Sequence, residues 1–365
     1  MKVSIVVGTR PQLIKVSALV KELIKENIEF KLIDTKQHYD YEMEKIFYAE
    51  LGIPQPIFLN IKSSLPVLQI GKGIYRLAKF LREFQPDVNI VIGDTDSTVI
   101  GAVTSVKMKI KTAHIEAGTR HFDRNLPEEI NRILVDHISD ILFAPSTTAV
   151  ENLKREGIEE SRIFRIDDIL TDACLQNVKR AEKKSKILKK LKLKKQKYLV
   201  LTLHRQRNVD NIENMKKILE ILESLSNWTI LFPVHPRTLK NLKRFNLLKS
   251  LKKMSHLKIT KPLGYLDFLK LMKNSACVLT DSGGIQKEVT ILKVPCITLF
   301  NSTGWPETVK IGANILVDLD KNLIIKEVKK RTSKEFRKFL QKIKCPYGNG
   351  RASKQIIKIL KETIK

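Results

Sequence analysis

Short apolar runs recur along this chain, spaced to leave room for one helix between successive runs. In the first half Lys2–Val7, Phe30–Asp34, Val88–Ile92, Thr112–Ile115 and Ile141–Phe143 read as strands. Each is short, apolar and bounded by Gly, Asp or Pro, as in parallel strands buried on both faces. Helices are predicted between them at Pro11–Glu26, Tyr41–Leu51, Ile70–Phe84, Thr98–Val106 and Pro127–Ser139. The second half repeats the plan. Its strands are predicted at Tyr198–Leu203, Thr229–Val234, Leu257–Thr260, Cys277–Thr280, Cys296–Phe300 and Ile315–Val317, with helices at Asn211–Leu225, Tyr265–Met272 and Gly284–Leu292. Repeated βαβα order demands an open parallel sheet with right-handed crossovers. The prediction is therefore an α/β chain with two doubly wound domains. The first spans residues 1–174 and the second 175–350, with the join inside 175–197. A final helix at Arg351–Ile364 is detached in sequence from either sheet.

Composition excludes several alternatives. With 365 residues and 42% hydrophobic content the chain has material for two cores. Four cysteines without a C-x-x-C pair argue against a disulfide scaffold or zinc site. The apolar run at the amino terminus is too short for a signal or spanning segment, so the expectation is a cytoplasmic protein with no membrane association. The net charge of +28 taken alone suggests a nucleic-acid binder. It is not evenly spread. Residues 1–177 hold 23 Lys+Arg against 25 Asp+Glu, and residues 178–365 hold 44 against 14. Lys179–Lys197 alone carries eleven basic residues and one acid, which reads as a solvated surface near the join. No nucleic-acid partner is expected.

The chemistry-bearing residues stand at strand ends, where doubly wound folds bind ligands. Gly8-Thr9-Arg10-Pro11 opens a helix with Lys15 one turn in, a setting suited to an anion. The G-x-G-x-x-G fingerprint is absent there, so no nicotinamide cofactor is expected. Asp94 follows one buried strand, with Asp96 or Ser97 as a possible helix cap. Glu116 ends what is expected to be a neighbouring strand, and paired carboxylates can divide acid and base roles. In Pro127-Glu128-Glu129-Ile130-Asn131-Arg132 the acids first read as helix-start residues, with Glu128 and Arg132 a plausible pair on one face. His204-Arg205 and His235-Pro236-Arg237 follow two strands of the second domain and suit a polyanion. Asp281-Ser282-Gly283-Gly284 lies between strand and helix, where backbone N–H groups can close on a phosphate. Glu288, one turn on, can take two ribose hydroxyls. No Asp, Glu or His grouping has metal-ligand spacing, so no metal is expected.

Taken together, these strings resemble the non-hydrolysing UDP-N-acetylglucosamine 2-epimerase family. The likeness rests on GTRPQLIK at 8–15, QHYDYEM at 37–43, GDTDST at 93–98, HIEAGTR at 114–120, PEEINR at 127–132, LHR at 203–205 and TDSGGIQKE at 280–288. The resemblance implies a GT-B architecture of two Rossmann-like domains around a cleft, with the final helix returning to the first domain. It implies an isomerase that interconverts UDP-N-acetylglucosamine and UDP-N-acetylmannosamine without a cofactor, supplying cell-surface polysaccharide or glycan synthesis. The route is elimination of UDP to a 2-acetamidoglucal, then re-addition with C2 inverted. By match, Asp94, Glu116, Glu128 and His204 are catalytic. Arg10, Lys15, Arg205, His235, Ser282, Gly283, Gly284 and Glu288 bind the nucleotide sugar, and Gln37 and His38 fall in a regulatory region. The family usually forms homodimers. Phe300 and Trp305 stand where the family commonly has arginine. Trp305, with the IQKE string at 285–288 and the VPCITL string at 294–299, looks closer to relatives acting on UDP-diacetamido-uronic acids. A GT-B glycosyltransferase is the remaining alternative.

Overall fold

The computed structural model describes residues 1–35, 48–61 and 65–364. Gln37, His38 and most of the helix expected at Tyr41–Leu51 lie outside the described residues. The chain forms two compact units, one of Met1–Ala173 with Tyr347–Lys365 and one of Cys174–Pro346. The division falls inside a helix, Ile169–Lys184, which explains why no Gly- or Ser-rich linker occurs there.

The first unit is built on seven parallel strands: β1 (Lys2–Val7), β2 (Glu29–Asp34), β3 (Ile57–Phe58), β4 (Val88–Ile92), β5 (Lys111–Ile115), β6 (Ile141–Ala144) and β7 (Ile163–Arg165). They lie in the order β3-β2-β1-β4-β5-β6-β7. All five residues of β4 are buried, including Asn89, whose side chain accepts from the Ser4 hydroxyl at 2.6 Å and donates to Gly101 O at 3.2 Å. The edge strands β3 and β7 are two and three residues long and were not predicted, being too short to show a period. The second unit carries β8 (Tyr198–Thr202), β9 (Thr229–Pro233), β10 (Leu257–Thr260), β11 (Cys277–Thr280) and β12 (Cys296–Thr298), ordered β10-β9-β8-β11-β12. The strand expected at Ile315–Val317 reduces to a single bridge from Leu316 to Thr298. Ile315 and Val317 pack on the core from a loop instead.

In each sheet the strand order reverses once, between β1 and β4 and between β8 and β11. The loops leaving those strands diverge and open a crevice at their carboxyl ends. Every motif that follows β1, β4, β8 or β11 is delivered to such a switch point.

The last helix, Ala352–Thr363, packs on the helix Arg10–Lys25 of the first unit. Its start is held from 180 residues away: the buried Asp172 carboxylate accepts the backbone N–H of Ala352 (3.0 Å) and Ser353 (2.8 Å). Replacing Asp172 with alanine orphans two helix donors and is expected to cost about 1–2 kcal/mol, read as a lowered denaturant midpoint. An unchanged midpoint would show that the helix is held by apolar packing alone.

Candidate functional site

In the first unit β4 and β5 pair in register with Ile92 opposite Ile115, so Gly93 and Glu116 leave the sheet side by side. Glu116 adopts a left-handed backbone (φ 73°), and Gly93 does so beside it (φ 71°). A Cβ on Gly93 would come within 3.3 Å of Glu116 Oε2. Glycine there leaves room for the carboxylate and carries the turn without strain.

Lys15, reaching from the helix Arg10–Lys25, donates to Glu116 Oε2 at 2.5 Å. Burial alone pushes the Lys15 ammonium down, but Glu116, helped by Asp94, more than offsets this and leaves it raised. The two side chains form a salt bridge. Asp94 is bound differently. Its carboxylate accepts from Arg132 and its carbonyl from Asn131 at 2.9 Å, both from the helix Pro127–Ile138. Arg132 also pairs with Glu129 at 2.8 Å, so the pairing expected with Glu128 is not made. The reason is local: the buried Glu129 caps the loop before its helix, accepting the N–H of His121 (3.0 Å) and Phe122 (2.9 Å). Burial opposes its charge, yet these donors and Arg132 outweigh it and hold the carboxyl low. Glu128 is exposed at the helix start, and Arg10 is exposed at the start of its own helix.

A residue assigned no role from sequence ties these loops together. The buried Gln12 accepts through Oε1 from the N–H of Gly8 (2.8 Å) and Thr9 (3.1 Å) and from the Ser97 hydroxyl (3.1 Å). Its Nε2 donates to Ile92 O (2.7 Å) and the Thr95 hydroxyl (2.9 Å). One amide thus staples the loop after β1 to the loop after β4. Thr95 occupies the N-cap of the helix Asp96–Lys107 without a side-chain cap bond, so neither Asp96 nor Ser97 caps as expected. The Thr9-x-x-Gln12 capping box was the available signal.

The second unit repeats this device with Asp281. Fully buried at the end of β11, its carboxylate accepts the N–H of His204 (3.0 Å) and Arg205 (3.0 Å) and the Asn208 amide (3.2 Å). His204 Nδ1 lies 3.2 Å from the same carboxylate. The loop after β8 is thereby fixed against the Ser282-Gly283-Gly284 turn. Asp281 follows the same rule that singled out Asp94 and Glu116, an acid at the end of a buried strand. The His235 ring lies 5.7 Å from that of His204. Burial, with His204 and Arg237 nearby, lowers its basicity, and its Nδ1 accepts the Arg237 N–H at 3.2 Å. Arg237 itself is taken by Asp210.

Ser282 is the N-cap of the helix Gly283–Ile291 and makes no side-chain cap bond. Glu288 sits on that helix and accepts from Tyr265 Oη at 2.8 Å. Arg205 is half-buried. Its Nε donates to Asp281 O at 2.8 Å, and its guanidinium stacks 4.6 Å from the Phe300 ring centre. Lys287 Nζ lies 3.9 Å from the Trp305 ring centre. The first unit thus gathers carboxylates and the second gathers cations and helix N–H donors. Among the described residues no cluster of three His, Cys, Asp or Glu could hold a metal, and no helix is long and apolar enough to cross a membrane.

Known proteins resemble this chain in sequence and fold. The family model described as UDP-N-acetylglucosamine 2-epimerase matches residues 21–361. A Methanocaldococcus jannaschii protein named UDP-N-acetylglucosamine 2-epimerase is 48% identical over 99% of each chain. The Pseudomonas aeruginosa UDP-2,3-diacetamido-2,3-dideoxy-D-glucuronate 2-epimerase is 35% identical over 99% of each. The crystal structure of the M. jannaschii UDP-GlcNAc 2-epimerase, in complex with UDP-GlcNAc and UDP, superimposes with a TM-score of 0.87 over 99% of this chain and 100% of that one. Its likeness and that of the related epimerase structures place the fold in the GT-B class.

Proposed function

We propose, since this chain belongs to the UDP-N-acetylglucosamine 2-epimerase family, that it is an isomerase interconverting UDP-N-acetylglucosamine and UDP-N-acetylmannosamine. The 48% identity to the M. jannaschii epimerase along the whole chain carries this reading.

The reaction sets requirements that the two units meet. In the elimination a base removes the C2 proton. The C2–H electrons form a C1=C2 double bond, and the C1–O bond breaks with its pair passing to the diphosphate of UDP. Re-addition protonates C2 from the opposite face, so acid and base groups must serve two faces. Asp94, Glu116 and Glu128 supply the carboxylates. Glu116, paired with Lys15, is the carboxylate assigned to accept the C2 proton. The departing diphosphate gains negative charge, which Arg205, His204 and the N–H groups at Gly283 and Gly284 oppose. Glu288, oriented by Tyr265, takes the ribose. Arg10 and Lys15 lie on the sugar side. This route requires no redox cofactor, because the C2 hydrogen leaves and returns as a proton and no hydride is transferred. The proposal includes a cytoplasmic homodimer, checked by sedimentation of the purified chain.

The P. aeruginosa relative favours a second substrate, the UDP-diacetamido-uronic acid. Incubation in D2O separates the two. UDP-N-acetylglucosamine is expected to yield the manno epimer with deuterium at C2, seen as loss of the C2 proton signal. A folded preparation that labels only the diacetamido-uronic nucleotide would transfer the assignment to that substrate. Labelling of neither would remove it.

A further inference from the structure

The two positions where the family resemblance expects arginine hold aromatic rings, and both rings lie beside the Ser282-Gly283-Gly284 turn or its cations. Trp305 Nε1 stands 3.2 Å, and Cδ1 3.7 Å, from the point a Cβ on Gly283 would occupy. The edge of the indole that carries the N–H thus overhangs the first residue of the helix Gly283–Ile291. Arg205 Nη2 stands 3.9 Å from the same point. Three kinds of donor converge there: helix backbone N–H groups, an indole N–H and a guanidinium.

Both rings are fixed. Trp305 N donates to the Thr303 hydroxyl at 3.0 Å, and that hydroxyl donates to Gln286 Oε1 at 2.5 Å. The face of Trp305 covers Lys287, whose residue is only 1% exposed. Phe300 takes the guanidiniums of Arg205 (4.6 Å) and Arg207 (5.1 Å) on its ring. Arg207 is drawn outward by Asp318 at 2.6 Å. Arg205 is anchored through Nε to the Asp281 carbonyl, which leaves Nη2 near Gly283. Stacking on a ring orients a guanidinium while leaving its edge donors free in direction.

We propose that Trp305 and Phe300 are diphosphate-binding determinants of this chain, Trp305 through its indole N–H and Phe300 as the platform that presents Arg205. The assignment rests on reading the Ser282–Gly284 turn as the nucleotide diphosphate subsite. Two arginines give way to one neutral donor and to a ring that supports Arg205, a cation the shared Leu-His-Arg motif already supplies. The anion is gripped by fewer full charges and by more rigid groups, since an indole loses less side-chain freedom than an arginine on binding.

The test compares UDP with uridine, by calorimetry or ligand-observed NMR, on the full chain. Trp305→Phe keeps a ring over Lys287 and deletes the N–H. It is expected to weaken UDP about tenfold and leave uridine unchanged within about twofold, the loss of one hydrogen bond to a charged group. Phe300→Leu is expected to weaken UDP about three- to tenfold, again without effect on uridine. A merely structural role would weaken both ligands alike, and that result in Trp305→Phe overturns the proposal. So does a Trp305→Phe variant with unaltered UDP affinity, or a wild type that binds UDP no better than uridine. The wild-type C2 exchange is measured separately. A protein that binds UDP with the expected variant pattern but exchanges no C2 hydron refutes the reaction and leaves this assignment standing.

Discussion

Glu116→Gln is expected to lower C2 hydron exchange by about a thousandfold or more while UDP affinity stays within about twofold of wild type. Proton transfer by a positioned side chain contributes roughly 10²–10⁴-fold, and an amide cannot take the proton. The position leaves little room for a substitute. Glu116 is only 8% exposed, on a left-handed residue, with Lys15 at 2.5 Å and the Cα of a glycine on its other flank. Asp94 is committed to Arg132 and cannot move into that place without breaking the pair. UDP is assigned to residues of the second unit, which the substitution does not touch. Glutamine also leaves the Lys15 ammonium without its counter-charge, so a thermal melt accompanies the assay to separate unfolding from lost chemistry. Exchange at the wild-type rate in a folded variant would exclude Glu116 as a base.

Asp136→Ala is expected to destabilise the first unit by about 3–5 kcal/mol, a midpoint loss of roughly 10 °C. Asp136 is fully buried and serves three partners. Its Oδ1 faces His114 Nδ1 at 2.6 Å, and its Oδ2 takes the Gly118 N–H at 3.0 Å and Arg120 at 2.7 Å. The other ring nitrogen, His114 Nε2, lies 2.8 Å from the Gly93 carbonyl, which can only accept, so that nitrogen carries hydrogen. Both ring nitrogens thus face acceptors. Arg120 is shared with Glu156 at 2.7 Å. Removing Asp136 leaves an imidazole nitrogen and a backbone N–H without their acceptor in a dry interior, and reduces Arg120 to its pairing with Glu156. Burial pushes the Asp136 carboxyl up, but His114, Arg120 and Gly118 overcome this and hold it below its usual range. A depressed carboxyl contributes stability that is complete above its unfolded pKa and lost as pH falls through the lower folded value. The wild type should accordingly lose stability as pH drops below the ordinary carboxylate range, and Asp136→Ala should lose less over that window. A destabilisation under about 1 kcal/mol would show that His114 and Arg120 find water or other partners. Because His114 also holds the Gly93 carbonyl, the network supports the turn that carries Asp94 and adjoins Glu116.

The strands β1, β4, β8 and β11 were legible because each is a short, predominantly apolar run bounded by turn residues, and such a run has few other stable fates than a doubly buried strand. Ile315–Val317 carries the same signal in three residues and becomes a loop, since so short a run does not distinguish a strand from a core-packed turn. Glu128 read first as a helix-start acid, and its exposed position in the structure fits that reading as well as a catalytic one. Only the family resemblance gave it a chemical role. Gln12 and Asp281 were passed over inside recognised motifs. Their importance lies in partners about 80 residues away, and a polar side chain looks the same in sequence whether it meets water or a distant loop.

The sequence by itself determined the α/β class, the two-fold repetition of the plan and the strand ends that carry the chemistry. These follow from local periods and from the rule that parallel sheets expose ligands at carboxyl ends. Tertiary structure alone decided which charges are spent on each other: Glu129 on Arg132, Asp136 on His114 and Arg120, Arg237 on Asp210, and Asp172 on the start of the last helix. It also turned two apparent losses of charge, Phe300 and Trp305, into platforms for Arg205 and Lys287. The physical reason is common to all of them. Coulombic and hydrogen-bonding partners act over a few ångströms of space, and the folding of the sheets, not the order of residues, sets those distances.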